Sequence, residues 1–496
     1  MTAPIHTLVA DRARTAPDAP AVIDTDGRRI GYAEHLAAIE DAASELQAAG
    51  LRPGDRLGIV SENSHAAAVL IFAASRLGAV AVPVNARMSA SELARILAHA
   101  GPRLVAYTTA VSPDAAAHAE AAGARPFGAG AGAVHLGAGP AHDHAADPDA
   151  AVILYTTGTT GDPKGVMLTH ANLRFGGRTS ARLRQMGEAD VIYGVLPVTH
   201  VFGLASMLMA ATHAGASIRM EARFTPAALH RAILEGATVF PGVPQMHALL
   251  MEHVRKGGLE RLEGCALHYV SSGGAPLDPA WKRKAEAFYG LPLQNGYGMT
   301  ETTAGICATT SPIGVPDVSV GPALPGVEIR LDEAVGGEPG TGEVLTRGPH
   351  VMAGYYRLPE ATAAIMDGDW LRTGDLGRID EAGRLHIVGR CKELIIRGGF
   401  NVYPPEVEAA LNDHPDVIQC AVVGRRLEGG DEEVLAFVQC ADPEGLDVEA
   451  LRAFAAGRLA AYKRPSRIVA AAALPAAPTG KILKHKLLAH FADRLG

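Results

Sequence analysis

From about Leu57 to Gly298, short β-branched runs alternate with stretches of helical periodicity, and few folds accept that rhythm. The strand candidates are "RLGIV", "AVAVPV", "RLVAY", "AAVILY", "DVIYGVL", "ATVFPGV", "LHYVSS" and "LPLQNGYG". Between them, "SELARILAHA" and "TPAALHRAILEG" repeat apolar residues at helical spacing. The alternation predicts an α/β fold of mainly parallel sheets, because parallel strands need crossovers and helices supply them. In sheets of this kind, ligands bind beyond the carboxyl ends of the strands.

At 496 residues the chain exceeds what one hydrophobic core sustains, so two or more domains are expected. Changes of texture divide it. The stretch Ala110–Ala150 is rich in Ala, Gly and His and reads as a solvated connector. His118, His135, His142 and His144 lie in it, at spacings that match no standard metal site. From Val320 to Gly389, "VEIRL", "GEVLTRG" and "GRLHIVGR" indicate a small β-rich subdomain. After Arg390 a smaller α+β unit follows, with "PPEVEAALNDH", "VIQCAVVG", "EVLAFVQC" and "VEALRAFAAGRLAAY". The expected division is residues 1–389 and 390–496.

Composition narrows the classes. With 48% hydrophobic and 20% charged residues, the chain is globular and not disordered. Its net charge of −8 argues against a nucleic-acid partner. The five cysteines form no CxxC pair and are odd in number, so reduced thiols are expected rather than a disulfide framework or zinc site. The N-terminal stretch lacks a basic segment followed by an apolar one. The longest apolar run, Ala66–Ala74, is too short to span a bilayer. A cytoplasmic protein without an integral membrane segment is expected.

One loop asks for an oxyanion. In "LYTTGTTGDPKGVMLTH", Leu154–His170, an apolar run is followed by a turn dense in glycine and threonine with one lysine, and then by what reads as a helix. Glycines bring backbone N–H groups close to a ligand, and successive N–H groups form an anion-binding concavity. Thr157, Thr159 and Thr160 add donors, and Lys164 adds a charge. The P-loop pattern does not fit, because Lys164 stands between Pro163 and Gly165; nor is GxGxxG present. An ordinary glycine-rich hairpin remains the plain alternative.

Five further stretches follow in order: "SSGGAPL" (Ser271–Leu277), "NGYGMTET" (Asn295–Thr302), "RTGDL" (Arg372–Leu376), "GRCKELIIRGGFNVYPPEVE" (Gly389–Glu408) and "PTGKILK" (Pro478–Lys484). With "YTTGTTGDPKG" they resemble the adenylate-forming superfamily of acyl- and aryl-CoA synthetases, amino-acid adenylation domains and beetle luciferases. The style is that of bacterial fatty-acyl and aryl-CoA ligases. The resemblance implies a large N-terminal adenylate-forming domain, a small mobile C-terminal lid and an active site between them. It also implies two half-reactions. A carboxylate attacks the α-phosphorus of ATP, and a thiol, usually that of coenzyme A, then displaces AMP.

The same resemblance assigns roles. Thr157, Gly158, Thr159, Thr160, Gly161 and Lys164 would hold the triphosphate tail. Glu301 would bind Mg²⁺, a cation that prefers carboxylate and phosphate oxygens, and Thr300 would contact the α-phosphate. Gly273, Gly274, Ala275 and Tyr297 would form the adenine slot. Asp375 would accept from the ribose hydroxyls, supported by Arg390. Lys481 would be the adenylation lysine, lowering the barrier as charge grows on the α-phosphate. His200, in "LPVTHVFGL", would separate the carboxylate from the thiol route. Lys392 matches the hinge, whose rotation would exchange Lys481 for Gly399 at the thiol tunnel. One departure stands out: "RRLEGGDEEVLAFV" lacks the aromatic residue that many CoA-using members place before a Gly-Glu pair, leaving Arg425 and Arg426 as candidates for the CoA phosphates.

The stretch "THVFGLASML" carries no acid to pair a substrate ammonium, and a buried unpaired ammonium is costly. "GVPQMHALL" offers no second cation for a malonate-type acid. Val201, Phe202, Leu204, Met246 and Ile306 suggest an apolar pocket for a hydrophobic monocarboxylate, fatty or aromatic. The expected activity is ATP-dependent carboxylate–CoA ligation, with a small-molecule acid and CoA as partners. Two alternatives remain: transfer to a carrier-protein pantetheine, and non-catalytic binding of acyl nucleotides.

Overall fold

The computed structural model describes residues 2–495 apart from 129–131, 143–146, 158–162, 275–276, 336–337, 399, 428–430 and 477–481. It contains two compact units, Met1–Glu328 with Thr346–Leu371, and Ile329–Leu345 with Arg372–Gly496. The expected boundary at residues 389 and 390 falls inside the second of them.

The first unit holds two large sheets. One runs Cys307–Ala308, Leu293–Tyr297, Tyr269–Gly273, Val239–Gly242, Val191–Gly194, Ser217–Met220, Pro20–Ile23, Arg29–Gly31. Its interior pairs are parallel and its two edge pairs antiparallel. The other runs Gly354–Tyr355, Pro163–Thr169, Ala150–Thr157, Val80–Asn85, Arg56–Ser61, Leu104–Tyr107, Val134–Ala138, Arg125–Phe127. Its centre is parallel and its two margins are antiparallel. Each of the eight strand candidates overlaps one of these strands, and both helical candidates form helices, Ala90–Ala100 and Pro226–Leu234.

The apolar run Ala66–Ala74 lies in the helix His65–Arg76, where residues 65–75 are buried all round. A helix apolar on every side belongs inside a core. Its start is fixed by Ser64, whose hydroxyl accepts from Ala67 N. Phe72 of this helix shares one apolar cluster with Val22 and Ile192 of one sheet and Ile59 and Val152 of the other.

Two local expectations change. Ala110–Ala150 is not simply a connector. It contains the helix Pro113–Ala121 and the strands Arg125–Phe127 and Val134–Ala138, which finish one sheet edge. His118 and His135 are used locally, against Ala86 O and the Thr109 hydroxyl, and His144 lies outside the described residues. The loop at Thr157 leads into the strand Pro163–Thr169 before the helix His170–Leu183 begins. Lys164, Val166 and Leu168 alternate with Gly165, Met167 and Thr169, a period-2 pattern that the turn residues hide.

In the second unit, the strand Trp370–Ile379, from Arg372 onward, pairs antiparallel with Leu385–Arg390. Gln419–Arg426, Glu432–Gln439 and Arg467–Ala471 make a three-stranded sheet. The helix Pro404–Asn412 buries Val407 and Leu411 in a cluster with Val422 and Val434 of that sheet.

Candidate active site

The strands Ala150–Thr157 and Pro163–Thr169 pair antiparallel as far as Thr156–Lys164 and Thr157–Pro163, at the strand ends that flank the loop. Gly158, Thr159, Thr160 and Gly161 lie outside the described residues, as does the side chain of Thr157. The hairpin base needs Gly165, since a Cβ there would stand 2.8 Å from Ile153 Cγ2 and 3.1 Å from Tyr155 Cζ. Lys164 places Nζ 5.0 Å from the centroid of the Tyr355 ring, a cation–π distance.

Thr300 and Glu301 sit in a tight 3₁₀ turn, Thr300–Thr302, past the carboxyl end of the strand Leu293–Tyr297. Thr303 and Ala304 continue it at φ 49° and 80°, a region that non-glycine residues seldom occupy. The chain doubles back so closely that a Cβ on Gly298 would meet Ala304 O at 1.8 Å. Contacts from outside hold the turn: Thr303 Oγ1 donates to His350 O at 2.7 Å, and Met352 N donates to Glu301 O at 2.9 Å.

Glu301 is only 7% exposed. The Tyr355 hydroxyl donates to its Oε1 at 2.7 Å. Burial raises the Tyr355 pKa, and the adjacent carboxylate raises it further, so the phenol keeps its proton. Among the described residues, the Glu301 carboxylate is paired with a hydroxyl and not with a cation. A buried carboxylate without a compensating cation is costly. One Mg²⁺ with phosphate oxygens would supply the compensation, and Mg²⁺ characteristically takes one or two carboxylates plus substrate phosphates. The residues present therefore fit that ion. Among the described residues no group of three or more His, Cys, Asp or Glu forms an all-protein metal cage.

Tyr355 was not visible as a site residue in the sequence. The segment that carries it is stitched on both sides: Ala353 N donates to Met167 O at 3.0 Å, and Tyr356 N to Gly165 O at 2.7 Å. Asn172, near the start of the next helix, donates to Pro349 O at 2.8 Å and Val351 O at 2.9 Å. The turn that carries Glu301 and the hairpin that carries Lys164 are thus both fastened to residues 349–356.

The adenine-slot candidates occupy the carboxyl ends of two adjacent parallel strands. Gly273 pairs with Gly296, next to the half-buried Tyr297. A Cβ on Gly273 would stand 2.9 Å from Phe202 Cε1, so the bare backbone lets the Phe202 ring lie against this strand end. Gly274 has φ +81°, and Ala275 lies outside the described residues. His200 caps the short helix Val201–Gly203, its Nδ1 accepting from Phe202 N at 3.2 Å. Of the expected pocket residues, Val201, Leu204 and Ile306 are buried, while Phe202 and Met246 are partly exposed and pack on the core.

In the second unit, Asp375 and Arg390 face each other across the antiparallel strand pair, with Nε 3.1 Å from Oδ1. Asp375 is 6% exposed and its N–H donates to Thr373 Oγ1 at 3.1 Å. The structure thus brings together two residues 15 positions apart. Lys392 is exposed in the turn that follows, while Gly399 and Lys481 lie outside the described residues. Arg425 is engaged by Glu433 and by Leu495 O; Arg426 is exposed and 3.7 Å from Glu432. Of this pair, the first already has a structural partner. No helix of the described residues is long and apolar enough to cross a membrane.

Comparison with known proteins agrees with this geometry. The AMP-binding enzyme family matches residues 9–356, and the AMP-binding enzyme C-terminal domain matches residues 406–481. The chain is 33% identical to a feruloyl-CoA synthase of an Amycolatopsis species, over 97% of both chains. It is 34% identical to a sulfoacetate–CoA ligase of Cupriavidus necator, again over 97% of both. Among solved structures, o-succinylbenzoate CoA synthetase from Bacillus subtilis, in complex with its acyl-adenylate intermediate, matches with a TM-score of 0.84 and 28% identity, covering 98% of each chain. Matched in order by both parts of the family pattern and along nearly its whole length by these relatives, the chain belongs to the AMP-binding enzyme family.

Proposed function

We propose that this protein is an ATP-dependent carboxylate–CoA ligase acting on a hydrophobic monocarboxylate, fatty or aromatic. The observation that carries the reading is the meeting of Glu301 and Lys164 on Tyr355, at the base of the glycine–threonine hairpin. A buried carboxylate at the hydroxyl and a cation over the face of one ring suit a metal–triphosphate better than they suit a neutral ligand.

In the first half-reaction a substrate carboxylate oxygen attacks the α-phosphorus of ATP. The bond from that phosphorus to the bridging oxygen breaks, and pyrophosphate leaves. Thr157, Gly158, Thr159, Thr160, Gly161 and Lys164 hold the departing tail, Thr300 contacts the α-phosphate, and Lys481 stabilises charge growing there. Mg²⁺, held by Glu301 when bound, offsets the negative charge of the phosphates. Gly273, Gly274, Ala275 and Tyr297 take the adenine, and Asp375 with Arg390 takes the ribose. In the second half-reaction a thiolate sulfur attacks the acyl carbon, and the bond to the AMP oxygen breaks. The thiol proton is lost to solvent. Gly399 lines the thiol route, and His200 separates it from the carboxylate. The reaction is assigned to the cytoplasm.

The substrate class rests on the lining, not on kinship, because one relative of similar identity is named for the anionic acid sulfoacetate. Val201, Phe202, Leu204, Met246 and Ile306 bring no charge that could meet a second anion or an ammonium. A panel of carboxylic acids assayed for pyrophosphate release, with and without CoA, tests the reading. Fatty or aryl monocarboxylates should exceed amino acids and dianions in kcat/KM, with CoA-dependent AMP release. Highest kcat/KM for sulfoacetate, malonate or an amino acid would refute the substrate class. AMP release only with a pantetheinylated carrier protein would move the acceptor from CoA to that carrier.

A further inference from the structure

We propose that Tyr355 is a positioning residue for the metal: its hydroxyl fixes Glu301 in the rotamer that offers the second carboxylate oxygen to Mg²⁺. The inference rests on the reading of Glu301 as the Mg²⁺ ligand.

Three observations converge on it. The hydroxyl donates to Glu301 Oε1 at 2.7 Å, so Oε2 is the oxygen that the proposal gives to the cation. The main chain of the same glutamate is tied to the same segment by Met352 N, 2.9 Å from Glu301 O. Backbone and carboxylate are therefore held from one side. Tyr355 is itself fixed by antiparallel pairing with Val166 and by its N–H, which donates to Thr362 Oγ1 at 2.8 Å. Its ring also carries Lys164 Nζ at 5.0 Å. One side chain thus sets the distance between the carboxylate that takes the metal and the cation that takes the phosphates. Metal ligands are oriented by such outer partners, whose loss typically weakens metal binding about 10- to 100-fold.

The other contacts of the turn act elsewhere. His350 and Thr303 hold it through backbone atoms and the Thr303 hydroxyl, not through the glutamate carboxylate. The hydroxyl of Tyr355 is the part that matters, because a phenylalanine would preserve the ring, the volume and every backbone contact.

The test measures Mn²⁺ binding by electron paramagnetic resonance in the presence of α,β-methylene-ATP, for wild type, Tyr355→Phe and Glu301→Gln. Affinity for AMP, which needs no metal, is measured alongside. Tyr355→Phe should weaken Mn²⁺ binding about 10-fold or more while leaving AMP affinity and Tm near wild type. Glu301→Gln should weaken it further. Unchanged Mn²⁺ affinity in Tyr355→Phe, with loss in Glu301→Gln, would overturn the positioning role alone. Unchanged affinity in Glu301→Gln would overturn the assignment of Glu301 itself. Equal losses for Mn²⁺ and AMP in Tyr355→Phe, or a large fall in Tm, would show a structural prop and also overturn the proposal.

Discussion

Asn63 and Val198 are 135 residues apart, yet Val198 N donates to Asn63 Oδ1 at 2.8 Å. The amide of the same side chain donates to Gly194 O at 2.9 Å and Leu196 O at 3.0 Å. Asn63 stands just past the carboxyl end of the strand Arg56–Ser61 in one sheet, and the loop it grips leaves the strand Val191–Gly194 in the other. That loop ends at His200. A buried side chain with three backbone partners therefore sets the path of the histidine segment.

Replacing Asn63 by Ala should cost about 1–3 kcal/mol, since three buried backbone groups lose their partner. Beyond that cost, the loop should drift and His200 with it. The expected result is a larger loss in the CoA-dependent half-reaction than in pyrophosphate exchange. Equal losses in both would show that the clamp serves only stability.

His247 gives a pH signature. Its ring is fully buried, with Nε2 3.1 Å from Ser271 O and Nδ1 2.8 Å from the Tyr289 hydroxyl. A carbonyl can only accept, so Nε2 carries the proton and Nδ1 accepts from Tyr289. Burial pushes its pKa from 6.5 down to about 4. The unfolded chain therefore binds a proton between pH 6.5 and 4 that the folded chain refuses. This stability is fully present above pH 6.5 and is lost as pH falls toward 4. Thermal melts should show Tm falling across that window, and His247→Asn should flatten the slope. An unchanged slope in the variant would exclude His247 as a source.

Arg390→Ala tests the ribose pair. The arginine is about half exposed but its partner Asp375 is buried, so its loss should also lower Tm by leaving that carboxylate without this cation. Asp375 would keep its place through the strand but lose this cation. KM for ATP should rise while the preference among carboxylic acids stays fixed. A changed acid preference with unchanged KM for ATP would place Arg390 elsewhere in the reaction.

Lys481→Ala should slow adenylate formation by about 10²–10³-fold, the usual loss for one electrostatic contact made in the transition state. Thioester formation from supplied acyl-adenylate should survive. Equal loss in both half-reactions would contradict a role confined to the first.

Much of this was legible because the signals are local. Strand runs such as "AAVILY" and "LHYVSS" carry their own periodicity, and turn motifs such as "YGMTE" carry their own chemistry. The strand Pro163–Thr169 was hidden because Gly165 and Lys164 disguise its alternation. Tyr355 and Asn63 were hidden for a different reason. Each acts through partners at least 54 positions away, and "AGYY" and "SENS" have no period or spacing that points there. Folding creates those pairings, so no short window of sequence contains them.

The last prediction concerns Lys392. On its N-terminal side, Cys391 N donates to Gly374 O at 2.9 Å, tying the chain to the strand Trp370–Ile379. On its C-terminal side, Glu393 pairs with Lys484 at 3.0 Å, and Lys484 pairs with Glu408 at 2.8 Å. The chain before Lys392 is thus fastened to one strand pair, and the chain after it to the helices Pro404–Asn412 and Lys484–His490. The proposed rotation falls on the exposed residue between these anchors, and it would break the bonds that Glu393 N and Leu394 N donate to Arg390 O across it. The proposed roles demand a rotation, because they put Lys481 at work in the first half-reaction and Gly399 in the second, and a fixed arrangement would not present both. Proline fixes φ and restricts the residue before it, here Cys391. Lys392→Pro should therefore hold one arrangement. We expect the adenylating one, with pyrophosphate exchange retained and CoA-dependent turnover collapsed. Both half-reactions measured on one folded sample decide it, and full CoA-dependent activity in the variant would sink rotation at this residue.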